Sequence, residues 1–312
     1  MFGILVLMQQ RDQKRDMSCP FQKLIAYTLN HIHQPVVKGL GFNYKLVLLL
    51  SHSMGTNFKV QMAYYESPNM MRCIENRIVS KQMDALRQKI AKKAKELCAS
   101  GLCAEAQVLL QLAIDMGHLP SRALMAHMLL DGREGVPQDR IRAFNLVEEG
   151  TLMGCHDCQG VLARCYMKGF GVQQDLLRPL KLAHKSSESG SRYGQCMFGE
   201  LYELGIGGVA QNVDKARELY RLAIEQDFDL AQYKLGRLYF HGCSVTLNDA
   251  EALRLYQLAA AQGYPGALYN VAIFHELGLG VPKNKAEAIR LYLQAQEAGF
   301  PAARASLQRL CV

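Results

Sequence analysis

Apolar and polar positions recur along this chain with a period of 36 or 37 residues. Five times a short apolar stretch ends at a glycine-rich loop, an Asx residue follows, and a second helix-like stretch begins. The small residue at the centre of the first stretch is Ala126, Ala163, Gly199, Gly236 and Ala272, at spacings of 37, 36, 37 and 36. A fixed period in this range is the signature of a solenoid. Each unit of a solenoid packs on its neighbours, and together the units offer a long concave surface rather than one cleft.

Within a unit the punctuation is regular. A glycine follows the central small residue at an offset of six: Gly132, Gly169, Gly205, Gly242 and Gly278. A helix C-cap needs positive φ at such a place, so the first stretch is read as helix A ending there. Next come Asp139, Asp175, Asn212, Asn248 and Asn284, each placed to cap the free amides of a helix B. Four residues on lie Ala143, Pro179, Ala216, Ala252 and Ala288. Pro179 fits only a first helical turn. Tyr220, Tyr256 and Tyr292 fall four places after their alanines, on the same face of helix B. Gly154, Gly190, Gly263 and Gly299 stop helix B, with Asp227 substituting once. The run Gly205-Ile206-Gly207-Gly208 is no phosphate cradle: no strand precedes it and no Lys-Ser/Thr follows.

These residues carry a resemblance. Lys234-Leu235-Gly236-Arg237-Leu238-Tyr239, Gly278-Leu279-Gly280-Val281, Lys215-Ala216-Arg217-Glu218-Leu219-Tyr220 and Tyr256 to Gly263 resemble the SEL-one-like repeat family, a tetratricopeptide-related group of α-helical solenoids. The resemblance covers about residues 104 to 312 and recurs in phase, with the unit around Ala126 the loosest. The expected fold is all-α, a right-handed α/α superhelix of helix–loop–helix repeats. Residues 1–75 form a non-repeat N-terminal region, 76–120 a degenerate first helical pair, and 121–312 the repeats with a lone closing helix at Ala302 to Leu310. The resemblance implies a protein-binding adaptor or scaffold; similar proteins serve in signalling, in ER-associated degradation, in cell-wall synthase regulation and as bacterial virulence-related factors.

Charge sharpens the division. Residues 1–103 hold 15 Lys and Arg against 6 Asp and Glu, whereas 104–312 hold 21 against 22. The repeat array is electrically balanced, which argues against nucleic-acid binding by it. The basic surplus concentrates at Arg72, Arg77, Lys81, Arg87, Lys89, Lys92, Lys93 and Lys95. Val79, Met83, Leu86, Ile90 and Leu97 fall at helical spacing among them, so 72–95 reads as an amphipathic helix. It is either the solvated face of the helix that opens the solenoid or a contact for an acidic partner or membrane surface. No segment reaches the 18 or more apolar residues of a membrane helix, and the apolar start lacks the charged leader of a signal peptide. The ten cysteines do not share repeat phases, so a disulfide ladder is not expected and an intracellular, cytoplasmic setting is.

Two other motifs raise chemistry. Leu46 to Leu50 followed by Ser51-His52-Ser53-Met54-Gly55 resembles the nucleophile elbow of α/β-hydrolases, with Ser53 as nucleophile and the Met54 amide as oxyanion donor. The first glycine of that motif is Ser51 here, and the chain lacks room for the surrounding sheet. A serine hydrolase is therefore the alternative function, and a strand, hairpin fragment or poorly ordered stretch the plainer reading of 51–55. Cys155-His156-Asp157-Cys158, with Cys165 nearby, resembles half a zinc site without a second ligand pair. No metal, cofactor or catalytic residue is expected.

The candidate site is then the concave face. By the resemblance, inward positions of helix A lie at −3, +1 and +4 from the central small residue. They give Tyr233 and Tyr269; Arg164, Glu200 and Arg237, with His127; and Met167, Glu203, Phe240 and Glu276. Tyr and Arg supply many hot spots of protein interfaces. The expected activity is non-catalytic binding of a protein partner on this face.

Overall fold

The computed structural model describes residues 68–242 and 247–310. Side-chain surroundings are described from Ser80 on within the first helix. Residues 51–55, with Ser53, lie outside the described residues. All regular structure among the described residues is helical, in thirteen elements. A first helix, α1 (Pro68–Ala99), precedes α2 (Cys103–Asp115). Five hairpins follow, each a helix A and a helix B: α3 (Leu119–Asp131) with α4 (Arg140–Leu152), α5 (His156–Lys168) with α6 (Arg178–Glu188), and α7 (Arg192–Leu204) with α8 (Val213–Glu225). The last two are α9 (Asp229–His241) with α10 (Asp249–Ala261), and α11 (Pro265–Leu277) with α12 (Lys285–Glu297). A single helix, α13 (Pro301–Leu310), closes the array. The first helix begins at Pro68, eight residues before the boundary at 76 between the non-repeat region and the first helical pair.

Each hairpin is held by the residues that punctuate the repeat. The C-cap glycines of the A helices all have left-handed φ, from 64° to 76°. Beyond the loop, the backbone N–H of every Asx donates back to helix A. The acceptors are the carbonyls of Leu129, Tyr166, Tyr202, Tyr239 and His275, at 2.8 to 3.2 Å. These bonds fix the angle at which the chain re-enters. The Asx side chain then accepts from the new helix: Asp139 from Arg142 N, Asn212 from Lys215 N, Asn248 from Glu251 N and Asn284 from Glu287 N. In the second repeat Asp175 accepts from Leu177 N and Arg178 N, and α6 starts at Arg178 with Pro179 in its first turn. A loop glutamine also caps the end of helix A in three repeats, with Gln138, Gln174 and Gln211 donating to Leu130 O, Met167 O and Glu203 O at 2.8 to 2.9 Å. The Asx N-caps are worth about 1 kcal/mol each.

The core of a hairpin is a small residue against a large one. A Cβ built on Gly199 would lie 2.9 Å from the Tyr220 ring, and one on Gly236 2.9 Å from the Tyr256 ring. Tyr220, Tyr256 and Tyr292 are fully buried. The missing side chain on helix A is thus the space that the tyrosine of its own helix B fills. Asp227, where the other B helices meet glycine, adopts a left-handed φ of 56°. Short polar side chains such as Asp tolerate that region better than most.

The A helices of the first three repeats pack directly on one another, and no two B helices do to a similar extent. In these repeats the A helices therefore lie on the inside of the curve.

Candidate functional site

The inner positions of the first repeats carry charge, and the structure uses that charge to join neighbours. Arg164 on α5 forks onto Asp131 on α3 at 2.8 and 2.5 Å. Glu200 on α7 is held between Lys168 of the repeat before and Lys234 of the repeat after, each at 2.8 Å. Arg237 on α9 donates to Glu203 on α7, which also accepts from the Tyr220 hydroxyl at 2.5 Å. Arg309 of the closing helix reaches Glu276 on α11 at 2.7 Å, and Tyr292 donates to the same carboxylate. The result is a staggered ladder of ion pairs running from repeat to repeat.

The carboxylates feel it. Burial alone would raise the Glu200 carboxyl, but Lys234 and Lys168 outweigh burial and bring it down to about 2. Burial likewise opposes ionisation of Asp131, and Arg164 overcomes it to hold the carboxyl below the usual range. A charge buried with good geometry is neutral to stability or mildly costly in net terms, yet removing one partner is expensive.

A second cluster closes the coil on itself. Asp229, at the start of α9, accepts from the buried Arg133 at 2.5 Å and contacts His127 Nε2 at 2.8 Å. Both partners belong to the first repeat, 96 and 102 residues earlier. Around this cluster His127 packs on Phe228, and Tyr193 on Phe228, at ring distances of 5.0 and 4.9 Å. Arg133 lies over the Tyr264 ring at 5.0 Å, and Tyr264 packs on Tyr233. The φ of +75° at Gly132 lets the loop turn so tightly that a Cβ there would stand 2.5 Å from the Ala298 carbonyl. The loop of repeat one therefore seats against repeats four and five.

The nine expected partner-facing residues fall into two groups. Arg164, Met167, Glu200 and Glu203 are buried, at 8, 2, 1 and 9% exposure. The resemblance placed them on the inward, partner-facing wall; neighbouring repeats approach closely enough to engage Arg164, Glu200 and Glu203 in the ladder and to bury Met167. Tyr233, Arg237, Phe240, Tyr269 and Glu276 are half-buried. These five gather where the ladder is interrupted. Phe240 occupies the place that Glu203 and Glu276 hold in flanking repeats, and Ile273 the place of Arg164, Glu200 and Arg237. Phe240 packs instead on Phe274 at 5.3 Å, and Tyr269 on Tyr292 and Phe300 at 5.3 and 4.9 Å. Sequence reasoning missed Asp131, Lys168 and Lys234 as partners, although opposite charges at +5 of one repeat and +1 of the next (Asp131 with Arg164, Lys168 with Glu200) are a readable signal.

On α1 the side chains of Lys81, Lys89, Lys92, Lys93 and Lys95 are exposed, while Met83, Leu86, Ile90 and Leu97 are half-buried. Among the described residues no three His, Cys, Asp or Glu are grouped to hold a metal ion. No helix among them is long and apolar enough to cross a membrane.

Five A/B hairpins in register, a terminal closing helix and an inner wall made by one helix of each pair define an α-solenoid repeat protein. The Sel1 repeat model matches residues 120–155, 156–191, 192–228, 229–264 and 265–300, one match per hairpin. The chain belongs to the Sel1 repeat family. Repeats of this family typically mediate protein–protein interaction and are generally non-catalytic scaffolds. Several solved structures are similar. One is c5321, a protective antigen of uropathogenic Escherichia coli strains displaying an SLR fold, at 27% identity and TM-score 0.42 over 73% of this chain. A Sel1 repeat protein from Oxalobacter formigenes matches at 25% identity and TM-score 0.43 over 66%. A sel1 repeat protein from Klebsiella pneumoniae matches at 20% and 0.44, also over 66%. This chain spans 50% of the first and 59% of the second, and 99% of the third. No curated protein matches the chain.

Proposed function

We propose that the chain is a non-catalytic adaptor that binds a protein partner on the A-helix wall of repeats four and five. The observation that carries this reading is the interruption of the ion-pair ladder at Phe240. There Tyr233, Phe240 and Tyr269 leave part of their rings accessible, flanked by Arg237 and Glu276. Half-buried aromatics beside Arg are the residue types that anchor interfaces. Arg164, Met167, Glu200 and Glu203 then shape the wall from beneath rather than touching the partner. The exposed lysines of α1 support a second contact with an acidic partner. Among the described residues only Lys93 of this group forms an ion pair, with Glu96 at 3.5 Å.

The test is recovery of partners by the intact chain against a variant carrying Arg237→Glu and Phe240→Ala, with circular dichroism as a check on helicity. The wall reading expects the variant to lose the main partners while remaining helical; recovery of the same set by both overturns it. Repeating the capture in high salt separates the α1 contact, which should weaken as screening rises.

A further inference from the structure

Cys155 and Cys158 stand apart from the other thiols described. They sit at the joint between the first two matched repeats, 120–155 and 156–191. Cys155 is the N-cap residue of α5, and its Sγ accepts from the backbone N–H of Cys158 at 3.4 Å. Cap and third helical residue face each other across the first turn of a helix, which is the arrangement that lets their side chains exchange hydrogen bonds. Two cysteines so placed can be bridged without disturbing the helix that follows. Both are free thiols here. Cys158 is fully buried, and a Cβ on Gly150 would collide with its sulfur. Cys155 lies nearer the surface at 6% exposure, beside Gly154, around which a Cβ would meet open space.

The two thiols are also polarised in opposite senses. Interaction with the neighbouring Cys158 thiol, aided by the hydrogen bond from the Cys158 backbone N–H, brings Cys155 below the ordinary thiol range against the effect of burial, while the Cys158 thiol itself donates to Leu119 O at 3.8 Å. The same interaction, with burial, pushes Cys158 up. Elsewhere burial raises Cys98 and Cys165 to about 12, which leaves them inert as thiolates.

We propose that Cys155 and Cys158 form a reversible dithiol–disulfide pair, with Cys155 attacking and Cys158 resolving, oxidised by a small-molecule disulfide. The Cys155 thiolate attacks one sulfur of that disulfide. Its S–S bond breaks, and one thiolate leaves and takes up a proton. Cys158 then gives its proton to solvent and attacks the Cys155 sulfur of the mixed disulfide, expelling the second thiol. Two protein thiols are oxidised to one disulfide, and one small disulfide is reduced to two thiols.

The test incubates the full chain with glutathione disulfide at graded ratios to reduced glutathione. The reaction is followed by alkylation, digestion and mass spectrometry of each cysteine peptide. Wild type should accumulate the 155–158 disulfide while Cys165 and Cys196 remain alkylated. Cys158→Ser should stop at a mixed disulfide on Cys155, because nothing resolves it; Cys155→Ser should give neither product. The proposal is overturned if, in the helical wild-type chain, Cys155 and Cys158 stay as fully alkylatable as Cys165. It is equally overturned if oxidation scatters among the other cysteines. The wild-type arm decides the matter even where a serine variant folds poorly.

Discussion

From α3 to α7 the A helices turn charge towards one another; from α9 to α11, beyond Arg237, they turn aromatic rings. The two halves share one repeat, one capping scheme and one buried tyrosine per hairpin where the sequence supplies it. They differ in what fills the inner positions. In the first half Arg164, Glu200 and Glu203 are consumed by Asp131, by Lys168 and Lys234, and by Arg237 with Tyr220. In the second half Phe240 and Tyr269 pack on neighbours along one side and keep the other accessible. Some inner positions of this solenoid therefore join neighbouring repeats, while others stay partly accessible.

Removal of Asp229 breaks the comparison most severely. Asp229→Ala leaves Arg133, almost wholly buried, without its ion-pair partner, the neighbouring Asp131 being already engaged by Arg164. An uncompensated buried charge costs about 3–5 kcal/mol. The same substitution frees His127 and loosens the seat of the first repeat against the fourth. Urea unfolding of the full chain should show a loss in that range, and hydrogen exchange should rise first around α3 and the 132–136 loop. A loss as small as that of an exposed pair such as Arg290 with Glu287, typically under about 1 kcal/mol, would mean the closure does not hold the coil.

Acid sharpens the comparison next, because the charged half should fail before the aromatic one. The Glu200 carboxyl titrates at about 2 in the folded chain, against an ordinary value of 4.5. Its folded value is the lower one, so its contribution is complete above pH 4.5 and drains away as pH falls towards 2. That difference corresponds to roughly 3 kcal/mol. Asp131 and Asp229 are shifted in the same direction, each with burial opposing and a basic partner prevailing, and add to the same slope. Unfolding free energy measured from near neutrality into acid should fall over that window. Glu200→Gln should be less stable at neutral pH and show a shallower fall. Equal slopes for the two proteins would remove Glu200 from the account.

What the sequence made legible follows from distance along the chain. The A–loop–B unit rests on bonds between residues a few places apart, so the glycine offset of six and the Asx that follows it declared the hairpin. The small residue recurring at Gly199 and Gly236 was legible too, and its physical reason is the Tyr220 or Tyr256 ring of the same hairpin. Which positions of helix A look inward came from the family resemblance rather than from the periodicity. Neither could tell how near the next repeat lies, because that depends on the summed tilt of every hairpin. Burial of Glu200, at 1% exposure, was invisible for that reason. The pairing of Asp229 with Arg133 was hidden more deeply, since only the completed curve brings residues 96 apart together.

The smallest effect separates the halves most cleanly, through two tyrosines in equivalent positions. Tyr220 and Tyr256 are both fully buried against a glycine of helix A. The Tyr220 hydroxyl donates to the buried Glu203 carboxylate at 2.5 Å. Tyr256 has Phe240 in place of that glutamate, and its hydroxyl makes no hydrogen bond of normal geometry, with Asn270 as its polar neighbour. Removing one hydroxyl should therefore act differently in the two hairpins. Tyr220→Phe deprives a buried charge of a donor and should cost about 1–3 kcal/mol. Tyr256→Phe removes a buried group that gains little, so its cost should be about zero and its sign can be stabilising. Paired unfolding curves of the two variants measure the contrast directly. Equal losses would show that the hydroxyls are satisfied alike, and that the break in the ladder at Phe240 does not reach the tyrosine behind it.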